Sequence, residues 1–230
     1  TNNLNAIFSV PYVKTKASQG VLGGFDGIQD LSLWLKWKAY QHNIGKGKIS
    51  LYALGGISTP LSDYNIDMLP LSIGLGSTTF TGRVMADYQY NKFFVTAHGS
   101  YSRRNNVKLD RTGYYTTELH LTNEVEMPDM AMYGIRTGFR SKYLIADVML
   151  SRMNTIGGFD IRKNDMPFPS NNMDATSIGI SAKYTLPSYR HLEFFAGGSY
   201  VIDGRNVGQS TTINAAIFYI LDFSKKTVKK

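Results

Sequence analysis

The amino-acid sequence predicts an all-β protein, and more specifically a transmembrane antiparallel meander β-barrel of about ten strands. Three observations lead to this prediction. Apolar and polar residues alternate with a period of two along most of the chain, as in a β-strand. The connections between these segments alternate between short and long. Aromatic residues lie near both ends of the apolar face, which is typical of the interfacial girdles of membrane barrels.

The composition is that of a folded chain. Of the 230 residues, 43% are hydrophobic and 18% are charged, and there is no cysteine. The lack of cysteine excludes a disulfide scaffold, a thiolate metal site and a cysteine nucleophile. A transmembrane helix needs about eighteen consecutive apolar residues, and no run of that length occurs. This criterion does not exclude the strands of a membrane barrel, which alternate apolar and polar residues. We expect one domain over residues 1–223 and a basic periplasmic tail over 224–230.

The strands follow from the alternation in chain order. The clearest begins after Asp30, where Leu33 and Leu35 alternate with Lys36 and Lys38. A helix would mix these lysines into the apolar stripe, so the segment is a strand. Each predicted strand has about ten residues, the length of a tilted membrane-spanning strand. The predicted strands cover residues 4–14, 31–40, 49–59, 78–90, 93–102, 130–140, 143–150, 177–184, 192–202 and 213–223.

The connections place the two rims. Tight turns are expected at 45–48, 91–92, 140–142 and 188–191, and longer loops at 15–27, 60–77, 103–129, 153–175 and 203–210. In a meander, every second connection lies at the same rim, and outer-membrane barrels have their short turns on the periplasmic side. Both ends of the chain are then periplasmic. No signal peptide precedes the first strand, so either a leader has been removed or the numbering starts inside the mature protein.

Alternation alone leaves open which face points inward. A soluble, lipocalin-like barrel has its apolar face inside, whereas a membrane barrel turns that face toward lipid. The opposite face carries many ionisable residues, which a dry core could hold only at a large desolvation cost. The membrane alternative is therefore favoured. The residues predicted to line the lumen are Lys36, Lys38, Arg83, Asp87, His98, Arg136, Asp147, Lys183 and Glu193.

Charged pairs on this face have two interpretations. Arg83 and Asp87 share one strand, and Arg136 and Asp147 flank a tight turn on neighbouring strands. If such pairs bind each other, they close a narrow barrel. If they stay apart, they line a selective aqueous path. For Arg136 and Asp147, the turn at 140–142 predicts adjacent or diagonal positions within contact distance.

Other functional classes find little support. No two of the four histidines have metal-ligand spacing, and there is no Gly-x-Ser-x-Gly motif, so we expect neither a metal, a cofactor nor an enzymatic activity. The basic residues are scattered, which argues against nucleic acid binding despite a net charge of +8. The densest basic loop cluster would face lipopolysaccharide phosphates and consists of Arg103, Arg104, Lys108 and Arg111.

Several short motifs resemble one family of proteins. Val10-Pro11-Tyr12-Val13, the segment Gly27–Trp37 (GIQDLSLWLKW), the segment Gly55–Tyr64 (GGISTPLSDY) and the segment Leu71–Ser77 (LSIGLGS) are similar to motifs of outer-membrane barrels labelled transporters of the phenol meta-degradation pathway. These barrels are grouped with channels for hydrophobic compounds. The resemblance covers roughly residues 10–102. Members of this family usually have a hairpin before the first strand, and this chain lacks it, so we expect residues upstream of Thr1 and about twelve strands in total. The chain differs also in the lysine-rich residues that follow Phe223.

Two functions are consistent with this sequence. The resemblance implies passive transport of small hydrophobic compounds across the cell outer membrane, with lipids and lipopolysaccharide around the barrel. Methionine and phenylalanine in the long loops would capture the substrate. The alternative is a non-conducting barrel that acts as an anchor or structural subunit among other envelope proteins. The residues predicted for capture are Met127, Met130, Met132, Met153, Met166, Phe168 and Met173.

Overall fold

The computed structural model describes residues 3–221. In this part of the chain every regular element is a β-strand, which confirms the all-β prediction. No helix among these residues is long and apolar enough to span a membrane. The end of the last predicted strand, with Phe223, and the predicted tail 224–230 lie outside the described residues.

Ten strands form one large antiparallel sheet in which each strand pairs with the next along the chain. The meander is therefore as predicted. Its strands are β1 (Leu4–Ser9), β2 (Asp30–Ile44), β3 (Gly47–Pro60), β4 (Thr79–Tyr90), β5 (Phe93–Arg104), β6 (Asp129–Arg140), β7 (Leu144–Ile156), β8 (Asp174–Thr185), β9 (Leu192–Arg205) and β10 (Thr211–Tyr219).

Among the described residues the sheet is not closed into a barrel, because β1 pairs there with β2 and β10 pairs there with β9, but β1 and β10 do not pair with each other. The first strand is also shorter than the predicted 4–14. Pro11 has no backbone N–H and cannot continue the ladder, so the chain leaves the sheet after Ser9. Residues Tyr12–Lys14 then form a separate hairpin with Asp26–Ile28.

The alternation of short and long connections is found along most of the chain and fails at its end. Turns 45–46, 91–92 and 141–143 alternate with the longer segments 10–29, 61–78, 105–128 and 157–173, whereas the last two connections, 186–191 and 206–210, have six and five residues. The two-residue turns suit their sequences, because Gly45 (φ 58°) and Asn91 (φ 51°) adopt the left-handed conformation that these residue types tolerate best. In an antiparallel meander, all the short turns lie at one rim and all the long loops at the other.

The apolar face of the sheet is its exposed face. Leu35 is 52% exposed, and Val84 and Ile180 are each 66% exposed, whereas their neighbours of opposite parity are half-buried or buried. Exposed aromatic residues flank this aliphatic band. Near the short-turn rim they are Tyr88, Tyr90, Phe93, Tyr184, Phe194 and Tyr219, and near the long-loop rim they are Tyr12, Phe80, Tyr101, Tyr133 and Tyr200, whereas exposed Trp37 lies at the middle of β2.

Buried apolar side chains lie almost entirely outside the sheet. Within residues 3–221 the buried hydrophobic residues other than Phe94 belong to the long loops, namely Ile73, Val107, Leu109, Val125 and Met127. This distribution is the reverse of that in a soluble sheet protein, whose strands bury their apolar face. The only conventional hydrophobic core in the described residues is therefore formed by loops at one rim.

Candidate functional site on the polar face

All nine predicted lumen residues lie on one face of the sheet. The strand register connects them directly, since Lys36 is opposite Leu54, Leu54 is opposite Arg83, and Asp147 is opposite Gly138, two residues from Arg136. We call this the polar face. Its half nearer the short-turn rim contains buried Ser50, Asp87, Thr96 and Asp147. That the polar face lines a lumen remains a prediction, because no strand pairing among the described residues closes the sheet.

The predicted contact between Arg136 and Asp147 is confirmed. Arg136 is opposite Met149 and Asp147 is opposite Gly138, so the two charged residues are diagonal neighbours across β6 and β7. The Arg136 guanidinium donates to both carboxylate oxygens, with Nε–Oδ1 at 3.1 Å and Nη2–Oδ2 at 2.6 Å. The hydroxyl of Ser181 on β8 donates to the same carboxylate at 3.0 Å. Asp147 thus joins three neighbouring strands.

The predicted pairing of Asp87 with Arg83 is wrong. In an extended strand, residues four apart are separated by about 13 Å, which is too far for an ion pair. Asp87 instead binds Arg140, whose Nη1 and Nη2 each lie 3.0 Å from a carboxylate oxygen. Thr96, on the intervening strand, donates to Asp87 at 2.5 Å, and the Arg140 guanidinium lies over the Phe94 ring, 4.1 Å from its centroid.

Arg140 is the main residue that the sequence analysis missed. It was assigned to the turn at 140–142, but it is the last residue of β6 and has the same parity as Arg136. Its side chain reaches across β5 to Asp87 and also donates to Gln89 at 3.0 Å. Extending the alternation of β6 by one residue would have placed it on the polar face.

The remaining predicted residues make smaller contacts. Lys183 Nζ binds Glu193 at 2.7 Å, and Thr185 donates to the same carboxylate at 2.9 Å. Lys36 Nζ lies 4.7 Å from the centroid of the Tyr52 ring. Lys38 Nζ donates to the Gln41 side chain at 3.2 Å. The His98 ring lies against Gly134, and a Cβ atom added at position 134 would be 2.8 Å from His98 Cε1.

The long-loop rim is covered by three loops that pack on one another, residues 61–78, 105–128 and 157–173. We call them the loop cap. Its buried centre consists of Val107, Leu109, Val125 and Met127, and Ile66, Leu75, Tyr114 and Phe168 pack against it. The three loops supply apolar side chains to a single cluster. Sequence periodicity could not find this core, because the loops have no regular period.

Aromatic stacking and polar contacts hold the loop cap together. Tyr114 stacks between His120 and Phe168, with ring centroids 4.8 and 5.3 Å away. Arg162 donates through Nη2 to the Thr116 carbonyl at 2.7 Å, which joins the second and third loops. A cavity of about 450 Å³ lies between the cap and the strand ends, and Tyr114 and His120 line it.

Charged contacts attach the cap to the sheet. Tyr64 donates to Asp30, the first residue of β2, at 2.5 Å. Burial, and next the Asp30 carboxylate, raise the pKa of Tyr64 well above its ordinary value, so the hydroxyl remains a donor. Asp160 in the third loop binds Arg205 at the end of β9. The Arg205 guanidinium, followed by the amide of Asn206, holds the pKa of Asp160 below its usual range.

The basic loop cluster predicted from the sequence is partly engaged within the protein. Arg111 binds Asp67 inside the loop cap, with Nε–Oδ2 at 3.1 Å. Arg104 is half-buried and lines the cavity under the cap. Arg103 and Lys108 are exposed. Lipopolysaccharide contact at this rim stays a prediction that these two residues would carry.

The described residues show no arrangement typical of a metal centre. Across 3–221, no three histidine or carboxylate side chains converge closely enough to bind an ion. The chemistry that the polar face does offer is electrostatic, with fixed arginine–carboxylate pairs and hydroxyl donors.

No protein-family model and no curated protein sequence matches the chain.

Proposed function

We propose that this chain is an outer-membrane β-barrel whose interior is closed, and that it serves as a non-conducting anchor or subunit of a larger envelope assembly. The observation that carries the membrane part of the proposal is the exposed apolar face. Its aliphatic band is flanked by exposed aromatics at both rims. Lipid is the environment in which such a face is stable, and headgroups suit the aromatic side chains.

Membrane insertion would require the sheet to close. In hydrocarbon, any backbone N–H or C=O group of β1 or β10 left without a partner would cost several kcal/mol, so the outer edges of both strands must be paired. We propose that an additional hairpin pairs with these edges and completes a barrel of about twelve strands. The meander order is compatible with such closure, because β1 and β10 are the two ends of the same sheet.

The non-conducting part of the proposal rests on the polar face and the loop cap. Arg140 reaches over β5 to Asp87, and Arg136 and Ser181 converge on Asp147. These contacts hold charged side chains in place between strands, in positions where a narrow barrel has its path. The loop cap adds a packed apolar cluster at the long-loop rim. Both features would interrupt a continuous path for ions through a closed barrel, although separate cavities remain under the cap and on the polar face.

Site-directed spin labelling tests the membrane part. Because the chain lacks cysteine, Leu35→Cys and Lys36→Cys each provide a single labelling position. In bilayers, we expect the label at position 35 to be accessible to oxygen dissolved in lipid and the label at position 36 to be shielded from it. Lipid accessibility at position 36, or equal accessibility at both, would show that the faces are assigned wrongly.

Conductance tests the non-conducting part. The protein in a planar bilayer should show no steady ion current, and it should be recovered from envelopes in a stable complex with other proteins. A steady wild-type current with well-defined single-channel steps would overturn this part and favour transport. The membrane proposal would survive that result, since spin labelling measures it separately.

Transport of small hydrophobic compounds remains the second candidate. The observation that favours it is the position of three methionines predicted to capture substrate. Met127 lines the cavity under the cap, and Met130 and Met132 line a second cavity on the polar face. Flux of a small aromatic solute into liposomes, at a rate lowered by Met132→Gln, would support it. No flux above that of empty liposomes would exclude it.

A further inference from the structure

A separate cavity lies on the polar face beneath residues 74–77 of the loop cap. Its volume is about 280 Å³, and Arg104 lines both this cavity and the larger one under the cap. Its wall is mixed: Trp34, Leu75, Met130 and Met132 contribute apolar surface, and the hydroxyl side chains are Ser58, Ser77, Thr79, Thr81, Ser100 and Ser102. Among these hydroxyls, Ser77 already donates to the Asn105 carbonyl at 2.5 Å.

Arg83 enters this cavity without a carboxylate partner. Its Nε is buried and has no hydrogen-bond partner among the described residues. Its guanidinium lies 5.7 Å from the Trp34 ring, which is a cation–π contact and satisfies no N–H group. The nearest carboxylate along its own strand, Asp87, is bound to Arg140. A buried guanidinium N–H without an acceptor is costly, and an anion would relieve that cost.

Arg104 is the second cation at this cavity. Its guanidinium donates to two neutral acceptors, the Pro128 carbonyl at 3.4 Å and the Met130 sulfur at 3.2 Å, and it forms no ion pair within residues 3–221. The acidic residue in the cavity wall is Asp30, whose carboxylate already accepts the Tyr64 hydroxyl. A second carboxylate, that of Asp129, lies outside this wall and accepts the Arg104 backbone N–H at 3.0 Å and the Tyr101 hydroxyl. Within the wall itself, two arginines face one occupied carboxylate.

The hydroxyls can complete an anion site. Thr81 and Ser102 lie 2.8 Å apart and share one hydrogen bond, so one of the two O–H groups remains available to donate to a ligand. Arg83 is directly opposite Ser100 in the strand register, and the Ser100 hydroxyl donates to the Met132 carbonyl over a long 3.4 Å. Guanidinium and hydroxyl donors around a small cavity are the groups that bind carboxylates and phosphates.

We propose that this cavity binds a small oxyanion, a phosphate or a short carboxylate, between Arg83 and Arg104. The volume admits an inorganic phosphate or a dicarboxylate with few carbons. Arg104 connects the site to the cavity under the loop cap, so the ligand would enter from the long-loop side. The inference goes beyond the proposed function, because it holds whether or not the barrel conducts ions.

Calorimetric titration of the full chain in detergent tests the site, with inorganic phosphate and succinate as separate probes. We expect saturable binding of at least one of them. Arg83→Gln and Arg104→Gln should each weaken it about tenfold, which corresponds to about 1.4 kcal/mol. The matched control is Lys36→Gln, which removes a positive charge from the same face but lies outside the cavity wall, so binding should be unchanged.

The outcomes distinguish a phosphate site from a carboxylate site and show whether the proposal is correct. Binding of phosphate alone identifies a phosphate site, and binding of succinate alone identifies a carboxylate site. Absence of binding by both probes in the folded wild-type protein overturns the inference. A loss of affinity in Lys36→Gln as large as that in Arg83→Gln also overturns it, because the effect would then come from net charge. Circular dichroism shows whether each variant keeps its β-structure.

Discussion

The contact between Arg136 and Asp147 allows a quantitative test of how dry the polar face is. The perturbation is Asp147→Asn, which keeps the size of the side chain but removes its charge. The carboxylate accepts two hydrogen bonds from Arg136 and one from Ser181, and its side chain is only 3% exposed. The substitution therefore leaves the guanidinium without its counter-charge and weakens three charge-assisted hydrogen bonds.

The magnitude follows from the burial of the two partners. Removing one partner of a fully buried pair costs about 3–5 kcal/mol. The Arg136 side chain is 38% exposed, so water relieves part of that cost, and we expect the free energy of unfolding to fall by about 2–3 kcal/mol. Arg136→Gln should have an effect of similar size. In the double variant the costs should not add, which gives a coupling energy of about 1–2 kcal/mol.

The assay is reversible urea unfolding in a bilayer or detergent, with all four proteins of the double-mutant cycle. The matched control is the pair Asp160 and Arg205, which makes the same two-point contact but has both side chains more than half exposed. Its coupling should be much smaller, because water screens exposed charges. A coupling near zero for Arg136 and Asp147 would refute a closed interior and favour an open aqueous path.

Three further predictions concern the two faces and the loop cap. Gly56→Ala should destabilise the protein by about 1–3 kcal/mol in urea unfolding, since the added Cβ would lie 2.4 Å from the Trp34 ring. The adjacent control Gly55→Ala should be neutral, because a Cβ at position 55 meets no atom within 4 Å. Equal effects of the two substitutions would contradict this packing. Val148→Arg on the apolar face should cost about 2–4 kcal/mol in bilayers, and Ser181→Arg on the polar face should cost less; equal costs would mean that the faces are reversed. The lowered pKa of Asp160 predicts that its contact with β9 persists above the ordinary aspartate pKa of about 3.9 and is lost as the pH falls through the lowered value. Cleavage of residues 157–173 by an acid-active protease should rise only below that point, and an earlier rise would count against the contact.

Much of the sheet could be predicted because its determinants are local. Alternation with a period of two identifies strands and assigns each residue to a face. A tight turn then fixes the register of the two strands that it connects, which is why Arg136 and Asp147 could be paired correctly. The first strand shows the limit of this approach, because the alternation continued past Pro11 while its missing N–H ended the pairing.

The remaining features depend on contacts between segments that no local pattern relates. Arg140 binds Asp87 across an intervening strand, so predicting that contact requires the registers of two successive strand pairs. The centre of the loop cap joins Ile66, Val125 and Phe168, which lie in three different loops. The cavity between Arg83 and Arg104 likewise needs loop 61–78 to cover the sheet.

The loop cap has a consequence for the order of folding. Each sheet pairing forms between strands that follow one another in the chain, so the ladder can be built hairpin by hairpin at a low cost in loop-closure entropy. The cap cluster has contacts of much longer range along the sequence, since residues as distant as Ile66 and Phe168 pack around one centre. These contacts can form only after β4 to β7, which separate the two residues in the chain, have brought their connecting loops to one rim. The cap should therefore assemble last, and the long-loop end of the protein should stay open to proteases until the strands beneath it are in register.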